Sequence, residues 1–392
     1  MANAHSQRRF PSACRGTSTL AAVASSVLAV VVVAGCTPGS ASGSSPAGSA
    51  SAGQGADVTA AKAVIAPFLG QPSTFPVTEP LSKPWAAGKK FAFLQCSTPV
   101  CGQVAKSFTA AIQALGAEAT VVNAGATAQT AQAAASSLLA LKPDAVILSG
   151  ADPLLYGGGL KALADGGAKV VSIQINKDVT PYGISFNYLG SNLSQQNGKL
   201  LADWVIANKG ADADVVVYGL PALDLSAPLQ KAFEDEMSKN CSSCKVRAVP
   251  IDVATVGTTA PRTIVTDLQA HPKTNVAVFV SFQVATGLPA ALKAAGLSVT
   301  TVGFAPTTGV LQDIKDGNLT AGLAIDFPTS IWTAVDAAAR LVQGDQPTKG
   351  EQAGQIPEQF LEQKDITFDP TKGWTGYPDY AQRFTKLWQP AG

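Results

Sequence analysis

The feature that most constrains the fold is a regular alternation of short apolar runs and amphipathic segments from Lys89 onward. Nine runs have the length and composition of β-strands, and they lie at 90–95, 117–123, 144–150, 168–175, 214–220, 245–251, 276–281, 300–305 and 321–326. Most are apolar on both faces, as are parallel strands that helices cover on both sides. Each strand–helix unit implies a right-handed crossover in a parallel sheet. The pattern therefore predicts an α/β fold with doubly wound sheets.

The length of the chain predicts more than one core. Residues 57–392 form a longer chain than a single hydrophobic core usually supports, so we expect two lobes. In open parallel sheets, ligands bind outside the carboxyl ends of the strands. Two doubly wound parallel-sheet lobes that face each other across a cleft would place a ligand between them.

The N-terminus has the pattern of an export signal. Three arginines and no acidic residue precede the apolar run Leu20–Cys36, which ends in "VAGC". This ending resembles the lipobox of bacterial lipoproteins, in which the cysteine is lipidated. We predict a signal peptide over residues 1–35 and lipidation of Cys36. A coincidental cysteine after an ordinary signal peptide and a permanent transmembrane helix are the weaker interpretations. The "RRF" at 8–10 leaves both the Sec and the twin-arginine export routes open.

Composition then restricts location and partners. Residues 36–56 are rich in Gly, Ser, Ala and Pro and carry no charge, which predicts a flexible tether after the lipidated cysteine. Without residues 1–35 the formal charge falls from +1 to −2. A nucleic-acid partner would require a basic face, so near-neutrality argues against one. The predicted location is the extracytoplasmic side of the cell membrane, where the lipid holds the protein.

Four cysteines remain after the signal and the anchor. An even number in an exported chain favours two disulfides, with the closely spaced cysteines paired as Cys96–Cys101 and Cys241–Cys244. "CSSC" also has the spacing of a thioredoxin motif, but it follows a helix, and low-pKa cysteines favour a helix N-terminus. A local staple is therefore the favoured interpretation. For Cys96 and Cys101, metal binding would lack two further ligands.

No constellation in the sequence predicts catalysis. A base and a nucleophile would have to lie within reach of each other, and the exported chain has one histidine, His271, just before a predicted strand. We expect a surface loop histidine on the side away from the cleft. Without a second histidine or a spaced acidic cluster, a zinc site or a Ser-His-Asp site has little support. We predict no enzyme activity, no metal and no cofactor.

Two segments lie outside the strand repeat. Residues 57–88 are proline-rich, with a short helix predicted around 60–69, and we expect them to pack on the first lobe or to act as a spacer. The C-terminal region contains five large aromatic residues that we expect to cover the second lobe; they are Trp374, Tyr377, Tyr380, Phe384 and Trp388.

The succession of elements from Lys89 to Gln346 resembles the type I periplasmic binding proteins. The most telling pieces are "LGSNLSQQNGKLLADWV", "VGF" and "IKDGNLTAGLA", and the nearest branch resembles the ribose-binding-protein-like sugar receptors of ABC importers. The resemblance implies two discontinuous lobes, 89–188 plus 327–356 and 189–326 plus 357–392, joined by a three-segment hinge. It also implies a monomer that closes on a small-molecule ligand and is recognised by an ABC permease.

The family's sugar-binding residues are largely missing at the matching positions. An Asp-Arg pair is expected where Gln174 and Ile175 stand, and an Asn-Asp pair where Phe282 and Gln283 stand. An aspartate is expected where Ala305 follows "VGF", and an arginine is expected where Ala227 and Pro228 stand. A buried ligand hydroxyl without a partner costs about 1–3 kcal/mol. The departures therefore predict a ligand with an apolar or aromatic body and one or two polar ends.

Twelve residues are the predicted binding residues. Aromatic side chains would hold the apolar body, and polar side chains would bind the ends. The aromatic candidates are Phe186, Tyr188, Phe282 and Phe327. The polar candidates are Ser97, Thr98, Asp152, Gln174, Asn176, Asp224, Gln283 and Asp326.

Three alternatives stay open at this point. The matching near Phe282 could be displaced by one or two residues, which would hide the usual sugar-binding pair. The same fold could report its ligand to a membrane signalling protein instead of an importer. An exported enzyme is the third alternative, and no residue pattern supports it.

Overall fold

The computed structural model describes residues 55–97, 99–354 and 356–388. The predicted signal peptide, the lipidated Cys36 and most of the tether lie outside the described residues. The described chain contains eleven β-strands. They are β1 (Lys90–Cys96), β2 (Glu118–Gly125), β3 (Ala145–Ser149), β4 (Lys169–Ile173), β5 (Ile184–Tyr188), β6 (Asp214–Gly219), β7 (Lys245–Pro250), β8 (Val276–Phe279), β9 (Thr300–Phe304), β10 (Ala321–Ile325) and β11 (Glu358–Glu362).

Twelve α-helices alternate with the strands in the described chain. They are α1 (Val58–Ile65), α2 (Pro99–Leu115), α3 (Ala128–Leu141), α4 (Gly159–Asp165), α5 (Ser191–Lys209), α6 (Ser226–Asn240), α7 (Ala260–Ala270), α8 (Leu288–Ala295), α9 (Thr308–Lys315), α10 (Phe327–Gln343), α11 (Lys349–Gln352) and α12 (Tyr380–Trp388). Short 3-10 turns connect several of these elements, among them Pro153–Tyr156 and Phe282–Ala285.

The strands form two sheets, one in each lobe. The first has the order β2-β1-β3-β4-β5, and its pairs are all parallel. The second has the order β11-β10-β9-β8-β6-β7, and only the β10–β11 pair is antiparallel. Central strands such as β8 and β10 are buried along their whole length, whereas the edge strands β2 and β7 are partly exposed. This burial explains the continuous apolar runs in the sequence and confirms the predicted α/β class with two lobes.

Between β1 and β11 the chain passes between the lobes three times. It leaves the first lobe between β5 and α5, returns between β10 and α10, and leaves again between α11 and β11. All nine strands predicted from apolar runs are confirmed. The sequence missed β5 and β11, and both of these adjoin a crossing.

The segments outside the strand repeat bind both lobes. Ala61 and Ile65 of α1 pack in the core of the second lobe, whereas Val77 and Leu81 pack in the core of the first. We expected residues 57–88 to pack on the first lobe or to act as a spacer; they pack on the first lobe, and α1 packs on the second as well. The two parts of this segment therefore connect the cores of the two lobes.

The C-terminal aromatic residues are divided between the lobes, in contrast to the expectation that they cover the second. Trp374 belongs to the core of the second lobe. Helix α12 packs on the first lobe, where Trp388 stacks on Trp332 of α10 with ring centroids 5.2 Å apart. The indole nitrogen of Trp388 also donates a hydrogen bond to the buried Asp336 at 2.7 Å. This polar contact fixes the helix on α10.

Candidate functional site

A cavity lies between the carboxyl ends of the two sheets. It has an empty volume of about 550 Å³, including its opening to solvent. Residues that follow β1, β3 and β4 form the side from the first lobe, and residues that follow β6, β8 and β9 form the side from the second. Most of the wall is apolar, and its larger side chains are Phe93, Val100, Val104, Leu223, Leu225, Phe304 and Phe327.

The polar groups of the cavity come from four uncharged side chains. Ser149 and Gln174 belong to the first lobe, and Ser281 and Gln283 belong to the second. The amide nitrogen of Gln283 donates to the Ser281 hydroxyl at 3.0 Å, but its Oε1 has no hydrogen-bond partner among the described residues. Gln283 is 1% exposed, so this acceptor is removed from bulk water. A ligand that donates a hydrogen bond to Oε1 would remove an unfavourable desolvation.

Two cavity residues have a backbone conformation that favours glycine. Gln174 has φ 60° and Ala305 has φ 54°, at the ends of β4 and β9. Sheet-like hydrogen bonds hold both, because the Gln174 N–H donates to Tyr188 O and the Ala305 N–H donates to Leu323 O, each at 2.9 Å. Such conformations cost about 1–3 kcal/mol and persist where the surrounding structure fixes them. Here they turn the chain sharply at the cavity wall.

Charged residues from both lobes meet beside the cavity. Asp224, in the β6–α6 loop of the second lobe, accepts a hydrogen bond from the Asn176 N–H of the first lobe at 2.6 Å. Lys177 pairs with Asp224 at 3.3 Å and with Asp152 of its own lobe at 2.7 Å. We call Asp152, Lys177 and Asp224 the rim cluster. Asp152 and Asp224 were predicted to bind ligand, but the structure places their carboxylates in this contact between lobes, outside the cavity lining.

A second polar contact joins the lobes nearby. The Gln103 amide of α2 donates to the Thr308 hydroxyl of α9 at 3.1 Å. With the rim cluster, it holds the two lobes in a closed arrangement around the cavity.

The Cys96–Cys101 disulfide forms part of the cavity wall. It joins the end of β1 to the first turn of α2, and both cysteines line the cavity. Ser97 is exposed on the loop that the disulfide closes and does not line the cavity, and Thr98 lies outside the described residues. The second predicted disulfide, Cys241–Cys244, is also present, at the turn from α6 to β7.

Phe282 lies in the core of the second lobe, in contrast to the prediction that it would hold a ligand. Its ring stacks on Phe279 with centroids 5.3 Å apart and covers Gly303, where a Cβ atom would come within 2.6 Å of it. The 3-10 turn after β8 explains why Phe282 does not face the cavity. It directs Phe282 inward and Gln283 towards the cavity.

Asp326 has a structural position rather than a place in the cavity. Its side chain caps α10 by accepting hydrogen bonds from the Thr329 N–H and hydroxyl at 2.9 and 2.7 Å. It also accepts from the Thr375 hydroxyl and the Gly376 N–H at 2.8 and 2.9 Å. Burial raises the pKa of this carboxyl, and these hydrogen bonds act in the opposite direction. Asp326 lies where the chain crosses from β10 to α10, and its hydrogen bonds connect this crossing to the C-terminal segment.

The remaining predicted residues are near the cavity or behind it. Gln174, Gln283 and Phe327 line it. Asn176 contributes its backbone to the rim contact, and its side-chain Oδ1 is buried without a partner among the described residues. Phe186 and Tyr188 stack on each other, 6.5 Å between centroids, and contribute to the core of the first lobe.

Sequence analysis missed several residues of the site. Ser149 is the last residue of β3, and Ser281 lies two residues after β8. The rule that ligands lie at strand ends would therefore have indicated both. Lys177 gave no such signal, because its role depends on an aspartate in the other lobe. His271, as expected, is on the surface, where its Nδ1 lies 2.8 Å from the Asp267 carbonyl oxygen.

Comparison with known proteins identifies the family. A family described as "Periplasmic binding protein domain" matches residues 91–346, more than half of the chain. The chain belongs to this family. Its members are binding proteins and not enzymes, and the periplasmic description of the family implies a location outside the cytoplasm. A search of curated proteins by sequence found no match. Among the described residues, none of the helices has the length and apolar character that crossing a membrane requires.

Solved structures show the same fold at low identity. The myo-inositol binding protein of Caulobacter, bound to myo-inositol, has a TM-score of 0.62 and 19% identity, covering 73% of this chain and 97% of that one. An ABC transporter solute binding protein from Agrobacterium vitis, with bound allitol, has a TM-score of 0.61 and 19% identity, with coverages of 71% and 97%. A periplasmic ribose ABC transporter from Conexibacter woesei has a TM-score of 0.58 and 15% identity, with coverages of 73% and 95%.

Proposed function

We propose that this periplasmic binding protein captures an uncharged, partly apolar small molecule and delivers it to an ABC importer. The observation that carries the proposal is the chemistry of the cavity wall. The wall is mostly apolar, and its described lining residues include no charged side chain. Aromatic or alicyclic alcohols and phenols have the required chemistry. Their ring would contact Phe93, Phe304 and Phe327, and their hydroxyl would donate to Gln283 Oε1.

A sugar or polyol is the second candidate, because related structures contain myo-inositol and allitol. The cavity offers such a ligand two amides and two serines, and no carboxylate or guanidinium among its described lining residues. Each ligand hydroxyl left without a partner costs about 1–3 kcal/mol. Without charged side chains to bind its hydroxyls, a densely hydroxylated ring would have a low affinity for this cavity. We therefore favour the partly apolar ligand.

Isothermal titration calorimetry with two solute series tests the choice. Phenol, benzyl alcohol and cyclohexanol represent the proposed class, and myo-inositol, ribose and galactose represent the other. We expect heat of binding from the first series alone. In Gln283→Leu the affinity for the best ligand should fall about tenfold, since its hydroxyl loses its acceptor. Gln129→Leu, at an exposed position of α3, is the control. Tight binding of a sugar with no response to the aromatic series would reject the proposal.

The lipid anchor is part of the proposal and rests on the sequence at 20–36. Lipidation of Cys36 and the tether that follows would hold the lobes near the importer at the extracytoplasmic face. Mass spectrometry of the protein from the membrane fraction should find Cys36 acylated at the N-terminus of the mature chain. Cys36→Ala should release the protein from that fraction, and an unchanged membrane association would contradict the anchor.

A further inference from the structure

A second cavity lies on the flank of the cleft, and we call it the flank groove. It has an empty volume of about 1030 Å³, including open solvent, and it shares Phe327 with the first cavity. Helix α2 of the first lobe forms one wall, and the loop from Pro306 to Thr308 of the second lobe forms another. The C-terminal segment from Thr371 to Trp374 completes it.

The charges of the groove have one sign. Lys106 and Lys372 line it, and none of its other described lining residues is charged. Both lysines are exposed and form no ion pair with the described residues. Asp369, three positions before Lys372, is outside the lining; hydrogen bonds from the Thr371 hydroxyl and N–H lower its pKa, and the charge of Lys372 contributes to this shift. The groove is therefore complementary to an anionic group.

The rest of the groove suits a flat apolar body. Tyr380 and the largely buried Trp374 line it, and Pro306 and Pro328 extend the apolar wall. The hydroxyl of Ser107, next to Lys106 on α2, is buried without a hydrogen-bond partner among the described residues. An apolar wall and two cations together fit an aromatic carboxylate.

The walls of the groove depend on how the lobes are placed. Gln103 and Thr308 both line it, and the hydrogen bond between them, 3.1 Å long, joins α2 of the first lobe to α9 of the second. A molecule that contacts both walls binds more tightly when the lobes are closed than when they are apart. Such a molecule shifts the population towards the closed form and thereby strengthens binding in the first cavity.

We propose that the flank groove is a second ligand site, that it takes a small aromatic carboxylate, and that its occupation favours closure of the lobes. The proposal goes beyond the function assigned to the first cavity, which holds an uncharged ligand. Because the two sites differ in charge, a carboxylate and its neutral amide distinguish them.

Titration with benzoate and with benzamide, which have the same ring, tests the proposal on the full chain. In Gln283→Leu, in which the first cavity has lost its acceptor, benzoate at low salt should bind at least about fivefold more tightly than benzamide, and the difference should shrink as salt rises. Replacing both lysines, Lys106→Gln with Lys372→Gln, should weaken benzoate about tenfold and leave benzamide unchanged. Lys293→Gln, at an exposed lysine of α8, should change neither affinity.

Two further results separate this site from the first cavity. Gln283→Leu should leave benzoate affinity unchanged, and saturating benzoate should increase the affinity for the best neutral ligand of the first cavity. Loss of benzoate binding in Gln283→Leu would place the carboxylate in the first cavity and overturn the groove, whereas the proposed function is tested separately by the response to the neutral solute series. Absence of benzoate binding, or equal binding by the double lysine variant, would also overturn it.

Discussion

The carboxylate of Asp224 lies 2.6 Å from the backbone nitrogen of Asn176, so a side chain of the second lobe is hydrogen-bonded to the backbone of the first. Lys177, the next residue, adds an ion pair to the same carboxylate at 3.3 Å. These contacts lie beside the cavity and not inside it. They stabilise the closed arrangement irrespective of what the cavity holds, and the free energy that they contribute to closure adds to the affinity for a ligand.

Weakening this rim contact should lower ligand affinity with little change in stability. In Asp224→Asn the ion pair with Lys177 is lost, and the pair is partly exposed, so we expect about a three- to fivefold lower affinity. The loss should appear mainly as faster dissociation, which stopped-flow tryptophan fluorescence measures. Higher salt should lower the ligand affinity of the wild-type protein more than that of the variant, because salt screens the ion pair that the variant already lacks.

A matched control exists on the first lobe. Asp165 pairs with Lys161 at 2.8 Å within α4, and both side chains are well exposed. Asp165→Asn should leave the affinity and its salt dependence unchanged. Equal effects of the two substitutions would show that net charge, and not the contact between lobes, determines affinity.

The buried Asp326 should be important for stability rather than for binding chemistry. In Asp326→Ala, α10 loses its cap, and the Thr375 hydroxyl and the Gly376 N–H lose their acceptor. We expect a loss of about 3 kcal/mol in the free energy of unfolding, measured by urea denaturation. Asp369→Ala removes an exposed cap of a 3-10 turn and should have a much smaller effect. A stable variant with reduced affinity would instead favour the predicted ligand role of Asp326.

A buried carboxyl should make stability depend on pH. Burial raises the pKa of Glu358, at the start of β11, from 4.5 to about 8. A group whose pKa is higher in the folded state contributes stability below the unfolded value, and this contribution is lost as pH rises towards the folded value. Stability should therefore fall between about pH 5 and pH 8, and Glu358→Gln should flatten this decline in urea denaturation. Glu118→Gln, at the exposed start of β2, should not. An unchanged slope in Glu358→Gln would contradict this assignment.

The parts of the fold that sequence predicted are those in which burial is continuous. Strands such as β8 and β10 have both faces covered, so their sequence is an uninterrupted apolar run. Strand β11 was missed because "EQFLE" contains two acidic residues and a glutamine, yet four of its five residues are buried. Its polar side chains lie in the packed region at a crossing between the lobes, an environment that depends on tertiary structure. Helix α12 was assigned to the wrong surface for the same reason, since its partner Trp332 is distant in sequence.

The site was predictable in position but only partly in its residues. The family resemblance, which places ligand contacts at strand ends, indicated where Gln174 and Gln283 would lie, and both line the cavity. It did not determine which of two adjacent side chains faces the ligand, so it also favoured Phe282, which the 3-10 turn directs into the core. Contacts that need one residue from each lobe, such as Lys177 with Asp224, depend on lobe closure and have no local sequence signal.

The Cys96–Cys101 disulfide should affect binding more than stability. It closes a short loop, so its chain-entropy contribution to stability is only about 2 kcal/mol. Both cysteines line the cavity, however, and the bond fixes the end of β1 against the first turn of α2. In the double variant Cys96→Ala, Cys101→Ala this wall would have to order on binding, and affinity should fall about tenfold. The pair Cys241→Ala, Cys244→Ala breaks a disulfide that does not line the cavity and should lower the melting temperature without changing affinity. Unchanged affinity in the first pair, measured by calorimetry, would show that the disulfide does not organise the binding site.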